Sequence, residues 1–147
     1  MNKINWSTLK KEDKLYLLIP ILENDGIINY IYQESQVINV HHYSWCANIR
    51  FKYTNNNGKR QRVELCVNKL KFDYPVVNIS KETGWARDNE INFGDILVSF
   101  EKDNLKIIFR DVISNTIDLE YKRIETIKNN INNLKKSYEK FFRETKI

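Results

Sequence analysis

Four side chains in this sequence have the chemistry to hold a transition metal or to form a nucleophile with its base: His41, His42, Cys46 and Cys66. In number they suffice for one tetrahedral zinc. Their spacing argues against it, because adjacent histidines in a strand point to opposite faces and neither cysteine stands in a C-x-x-C pair. No metal and no cofactor is therefore expected. In a straight strand, His42, Ser44 and Cys46 share the outward face with Cys66, which gives a Cys/His hydrolase its minimal geometry of an imidazole activating a thiol. That reading ranks last, since no G-x-S-x-G, P-loop, dinucleotide glycine fingerprint or H-E-x-x-H accompanies it. The remaining carboxylates are scattered. Glu23 and Asp25 sit beside Gly26, where solvated turn chemistry accounts for them. An enzyme is not expected.

Cations and rings carry the better signal. Arg50, Lys52, Lys59, Arg60 and Arg62 fall in one predicted hairpin, and a two-stranded ribbon of that charge suits phosphates or a nucleic-acid groove. The segment Thr83-Gly84-Trp85-Ala86-Arg87-Asp88 adds a ring for stacking and a guanidinium fork for phosphate. Arg50, Lys52, Arg60, Arg62, Trp85 and Arg87 are thus the candidate ligand-binding residues. The competing readings are an ordinary solvated face for the ribbon and a core position for Trp85. Tyr43 and Trp45 are assigned to the core or to subunit contacts.

The elements that must position these residues follow from local pattern. The two prolines and four glycines all precede residue 95, and β-branched and aromatic residues crowd the same region, so residues 1–102 read as a β-rich head. Lys14 to Leu22 is the first expected strand, Asn24-Asp25-Gly26 its turn, and Ile27 to Tyr32 the return. Glu34-Ser35 marks a bend before Val37 to Tyr43. The strongest hairpin pairs Trp45 to Tyr53 with Lys59 to Val67 around Asn55-Asn56-Asn57-Gly58.

Alternation places Trp45, Ala47, Ile49, Phe51 and Tyr53 on the core face with Val63, Leu65 and Val67. Setting Asn55 against Lys59 keeps odd residues opposite odd, puts Arg50 across from Glu64, and leaves Arg50, Lys52, Arg60 and Arg62 facing outward. Val76 to Ile79 and Asp95 to Phe100 are two further expected strands. Five to seven short strands in about 90 residues predict a small antiparallel barrel or bent sheet. With the helix that follows, the fold class is α+β.

Residues 103–147 read as a helical oligomerisation segment, with Asp103 as N-cap and no Gly or Pro beyond it. Ile113, Ile117, Ile124, Ile127, Ile131, Leu134, Tyr138 and Phe141 keep a 3/4 spacing like a coiled-coil seam, with Glu120 at one inward position. Leu105, Ile108, Phe109, Val112 and Leu119 form a second, rotated stripe. Either the helix folds back near Asn129-Asn130 or Asn132-Asn133, or its distal half packs on another copy. The unbroken phase favours a homo-oligomer, and Ile at both inward positions admits dimers, trimers or tetramers.

Composition bounds the rest. The chain has 147 residues, 41% hydrophobic, which favours one globular domain over two and a packed core over disorder. Twenty-four Lys+Arg against 19 Asp+Glu leave +5, a charge compatible with anionic partners. The longest apolar run, Leu15 to Leu22, is too short to cross a bilayer and contains Pro20, so no membrane partner is expected. It lacks a cleavage site for a signal peptide, which points to the cytoplasm of a bacterial host. Abundant Asn, Ile and Lys, with Ala only at 47 and 86, fit an AT-rich bacterial or phage genome. The expectation is a non-enzymatic phage or mobile-element protein that binds or sequesters an anionic nucleotide signal or nucleic acid, an anti-defence activity. The alternative is an inhibitor that binds a host nucleic-acid enzyme such as a CRISPR effector.

Overall fold

Asn55 shapes the hairpin that dominates one half of the head. Its side-chain oxygen accepts from the backbone N–H groups of Asn57 and Lys59, each at 3.0 Å, and its own N–H donates to Lys59 O at 2.8 Å. Gly58 supplies the left-handed residue this loop requires, at φ +74°. The computed structural model describes residues 5–26, 28–55, 57–79 and 91–145. In it, β4 (Cys46–Thr54) pairs with β5 (Arg60–Asn68) in the expected register, Arg50 opposite Glu64 and Phe51 opposite Val63. β3 (Asn39–His42) lies on the other side of β4, completing a three-stranded antiparallel sheet in the order β3-β4-β5.

A second antiparallel sheet has four strands in the order β2-β1-β7-β6. Its members are β1 (Lys14–Leu22), β2 (Ile28–Gln36), β6 (Val77–Ile79) and β7 (Ile96–Ser99). β7 pairs with β1 only through Tyr16, Leu17 and Leu18. Pro20, with no N–H to donate, lies beyond that pairing. The expected break at Glu34-Ser35 is absent: β2 runs through both residues to Gln36, and the chain changes sheets at Val37 and Ile38. Val37 N–H donates to Asp13 O at 2.9 Å, and Ile38 N–H to Arg50 O at 2.7 Å. Ser35 serves the crossing, since its hydroxyl donates to Lys52 O at 2.6 Å.

The two sheets face one core. Leu15, Leu17 and Ile19 of β1 pack in it with Ile49, Phe51, Val63, Leu65 and Val67 of the hairpin and with Val77, Ile96 and Val98. Trp6 anchors one end, fully buried, its ring N–H donating to Tyr74 O at 2.6 Å and its ring edge-on to Phe100 at 4.8 Å. The sheets do not close into a barrel, so the bent-sheet form of the expected α+β fold is the observed one.

The helix α1 (Lys102–Thr145) begins one residue before the expected cap, and Asp103 lies in its first turn, where a carboxylate suits the helix dipole. By Cα proximity the chain divides after Val112. In the first unit, Leu105 packs with Val76 and Leu97 in a second cluster, joined by half-buried Tyr16, Leu18, Ile108 and Phe109. The β1–β7–β6 part of the four-stranded sheet is thereby covered on both faces, which is why β7 is buried at every position and β1 reads as an apolar run. In the second unit the helix continues unbroken through Asn129-Asn130 and Asn132-Asn133, so the fold-back alternative does not occur. Ile117, Ile124, Ile127, Ile131, Leu134, Tyr138 and Phe141 are exposed there, as is Leu119 of the rotated stripe. No described helix is long and apolar enough to cross a membrane.

Candidate anion-binding face

Strand pairing sets the outward face of the three-stranded sheet. Residues directly opposite share a face, so Lys52 with Arg62, Arg50 with Glu64 and Thr54 with Arg60 all turn away from the core. Arg50 and Glu64 approach to 3.7 Å with both side chains half exposed, a pair worth little in water. Lys52, Arg60 and Arg62 have no carboxylate within ion-pair reach among the described residues. Lys52 and Arg62 are therefore a like-charged cross-strand pair, an arrangement that costs stability unless an anion lies between them.

Lys52 and Arg60 also line a groove of about 630 Å³ where β2 passes the end of the hairpin, together with Lys14, Gln33, Glu34, Ser35, Gln36, Ile38, Tyr53 and Thr54. β3 pairs with β4 only from Ala47 to Arg50, so the backbone of β4 beyond Arg50 needs other partners. Gln33 supplies them. Its amide N–H donates to Thr54 O at 2.6 Å and its amide oxygen accepts from Thr54 N–H at 3.0 Å, a side-chain imitation of a strand neighbour. The groove's acid is engaged: Glu34 accepts from the Tyr32 hydroxyl at 2.9 Å and lies 4.0 Å from Lys14 Nζ. Burial, then the hydrogen bond to Glu34, push the Tyr32 phenol up to about 12.

At the other end of the same face, a pocket of about 110 Å³ is lined by Asn39, His41, Tyr43, Asn48, Arg50 and Glu64. The His41 and Tyr43 rings lie 4.5 Å apart, and Tyr43 stacks at 6.5 Å on Trp45 with 26° between planes. Tyr43 is 49% and Trp45 52% exposed, which excludes the core from the two places, core or subunit contact, that the sequence allows them. The reason is the tight β3–β4 turn. It starts from the Tyr43 N–H to Cys46 O bond at 2.8 Å and lifts Trp45 out of the strand before the core alternation begins at Ala47.

That turn also reverses the face the sequence assigned to His42. His42 pairs with Ala47, and His41 with Asn48, so His42 lies on the face opposite Cys46 and the proposed imidazole–thiol pair is not assembled. Cys46 and Cys66 keep the sheet face expected of them, alongside Asn48 and Glu64, but are buried on it as free thiols. Burial, followed by a hydrogen bond with Cys46, pushes the Cys66 thiol up to about 12, the wrong direction for a nucleophile. Among the described residues no group of three or more His, Cys, Asp or Glu is placed to hold a metal ion.

Of the sequence-predicted site, Arg50, Lys52, Arg60 and Arg62 lie on one face, with Arg50 drawn to Glu64 and the other three free of carboxylates. Trp85 and Arg87 lie outside the described residues. Sequence reasoning missed the groove residues Lys14, Gln33 and Ser35 and the ring ladder His41-Tyr43-Trp45. The available signal for the ladder was its alternation at every second residue, which on a surface presents rings along one line. Compared with known proteins, the chain matches no family model, no curated protein and no solved structure.

Proposed function

We propose that the outward face of the three-stranded sheet binds an anionic nucleotide or nucleic acid, without turnover. The observation that carries this reading is the uncompensated Lys52–Arg62 pair beside Arg60. Like charges held opposite each other on a rigid hairpin form a preorganised phosphate site, because the cost of bringing them together is met on folding and not on binding. Lys14 lines the same groove as Arg60 and adds a cation there, beside Glu34 at 4.0 Å. Exposed Tyr43 and Trp45 on the adjoining turn offer stacking rings close to the cations, and stacking favours unpaired bases over duplex.

In this reading the protein sequesters its ligand, consistent with the anti-defence role expected of a phage or mobile-element product in a bacterial cytoplasm. Self-association through the Ile113 to Phe141 seam is part of the same proposal, since a second copy would double the number of such faces and raise avidity for a polymer. The test is titration of mononucleotides, cyclic dinucleotides, single strands and duplexes at two salt concentrations. Salt-sensitive binding with preference for unpaired bases supports the proposal. A flat response to all of them overturns it and leaves the rival, a protein inhibitor that docks on a host nucleic-acid enzyme.

A further inference from the structure

The distal helix presents its apolar seam to solvent, and one polar residue in that seam specifies how a second copy must lie on it. Ile117, Glu120, Ile124, Ile127, Ile131, Leu134, Tyr138 and Phe141 recur at alternating steps of three and four, which places all eight along one line of α1. Seven of them are large apolar side chains between 46% and 71% exposed, a continuous stripe that water covers poorly. The eighth, Glu120, is a carboxylate in the middle of that stripe. On its own helix it accepts from Arg123 Nη1 at 2.8 Å through one oxygen, which leaves the other oxygen without a donor among the described residues.

A parallel, in-register pair would stack Glu120 on Glu120 of the second copy inside a closing interface, where like carboxylates repel strongly. An antiparallel pair has different neighbours. With the helices centred on residue 129, Ile117 meets Phe141, Ile124 meets Leu134, Ile127 meets Ile131, and Glu120 meets Tyr138. All eight seam residues then have a partner. The one acid in the stripe faces the one hydroxyl in the stripe, and the two-fold axis makes that hydrogen bond twice. Sliding the second helix by one heptad one way sets Glu120 against Ile131, and the other way carries Ile113 and Ile117 past its end. The centred register is the one that satisfies every position.

We propose that the chain forms an antiparallel homodimer through α1, in the register that pairs Glu120 with Tyr138 of the second copy. The Lys128 and Lys135 flank meets its own copy in this arrangement, so added salt strengthens the dimer by screening them. Tyr138→Phe removes two symmetry-related hydrogen bonds to a charged acceptor and weakens dimerisation roughly tenfold or more.

Cysteine cross-linking decides orientation and register, since a disulfide forms only where Cα atoms come within about 7 Å. Oxidised full-length protein carrying both Ile127→Cys and Ile131→Cys is expected to run as a covalent dimer, and Ile127→Cys alone to stay monomeric under denaturing conditions. Analytical ultracentrifugation of each variant before oxidation shows whether it still assembles. A cross-link from Ile127→Cys alone shows a parallel pair and overturns the proposal. So does a monomer, a trimer or a tetramer of the unmodified protein in ultracentrifugation.

Discussion

Lys52 stands directly across from Arg62 on β4 and β5, two cations on the solvent side of a hairpin whose inner side, Phe51 against Val63, is buried. Opposed residues on a strand pair have Cβ atoms about 5 Å apart, so the repulsion is built into the register that the core demands. A one-residue slip would relieve it only by turning the inward pair of one strand, Ile49 and Phe51 or Val63 and Leu65, out of the core. The hairpin therefore keeps an unfavourable charge pair that packing alone does not require. Arg62→Glu separates the two consequences. Opposite charges across from Lys52 should raise stability by about 0.2–1 kcal/mol in a urea melt, while binding of a single-stranded oligonucleotide falls sharply.

The turn rings make a distinguishable contribution. Tyr43→Ala and Trp45→Ala are expected to lower single-strand affinity by about 1–3 kcal/mol each with little change in the slope of log K against log salt, because stacking releases no counterions. Quenching of indole fluorescence on binding, lost in Trp45→Ala, checks the same contact.

Cys66 sets a pH dependence whose sign follows from its raised pKa. The folded thiol titrates at about 12 against an ordinary value of 9.0, so between these two the unfolded chain has lost a proton that the native state keeps. Stability then falls as pH rises from about 9 toward 12, and the contribution is intact below that window. Cys66→Ala should flatten this part of the stability curve. Native protein at pH 8 should also resist iodoacetamide at Cys66, and alkylation as fast as that of a free thiol would contradict its burial.

Two backbone positions and one ring test the fold itself. Glu12 adopts φ 75°, held there by its N–H donating to Val37 O at 2.9 Å, so Glu12→Gly should add about 0.5–1 kcal/mol by relieving left-handed strain. Gly58→Ala at φ +74° should cost about 1 kcal/mol for the same reason reversed. Trp6→Ala removes the largest fully buried side chain among the described residues and is expected to cost about 3–5 kcal/mol by chemical denaturation.

Much of this architecture was legible in short-range pattern. The β1 boundaries, the Asn55–Lys59 loop closure, the odd-with-odd register and the α1 periodicity each follow from local rules that tertiary contacts reinforce. What was not legible depended on contacts distant in sequence. Glu34-Ser35 looked like a bend because polar residues usually end strands, yet Ser35 is retained in β2 to satisfy Lys52 O across the sheet crossing. Trp45 looked like core because its parity matched Ala47, but the turn after His42 starts a new alternation. The groove beside Arg60 joins Lys14, Gln33 and Lys52, residues from three strands that only the two-sheet topology brings together. The four cations of the hairpin needed no such information, because one strand pairing fixes their common face.

The most direct measurement is the salt dependence of single-strand binding by fluorescence anisotropy, comparing the unchanged protein with Arg60→Ala, Arg62→Ala and the double variant. Each phosphate contact on a single strand contributes about −0.7 to the slope of log K against log salt, so losing both arginines should make the slope shallower by roughly 1.4 while each single change accounts for about half. An unchanged slope in the double variant, with folding verified by circular dichroism, would contradict the assignment of this face as the anion-binding surface.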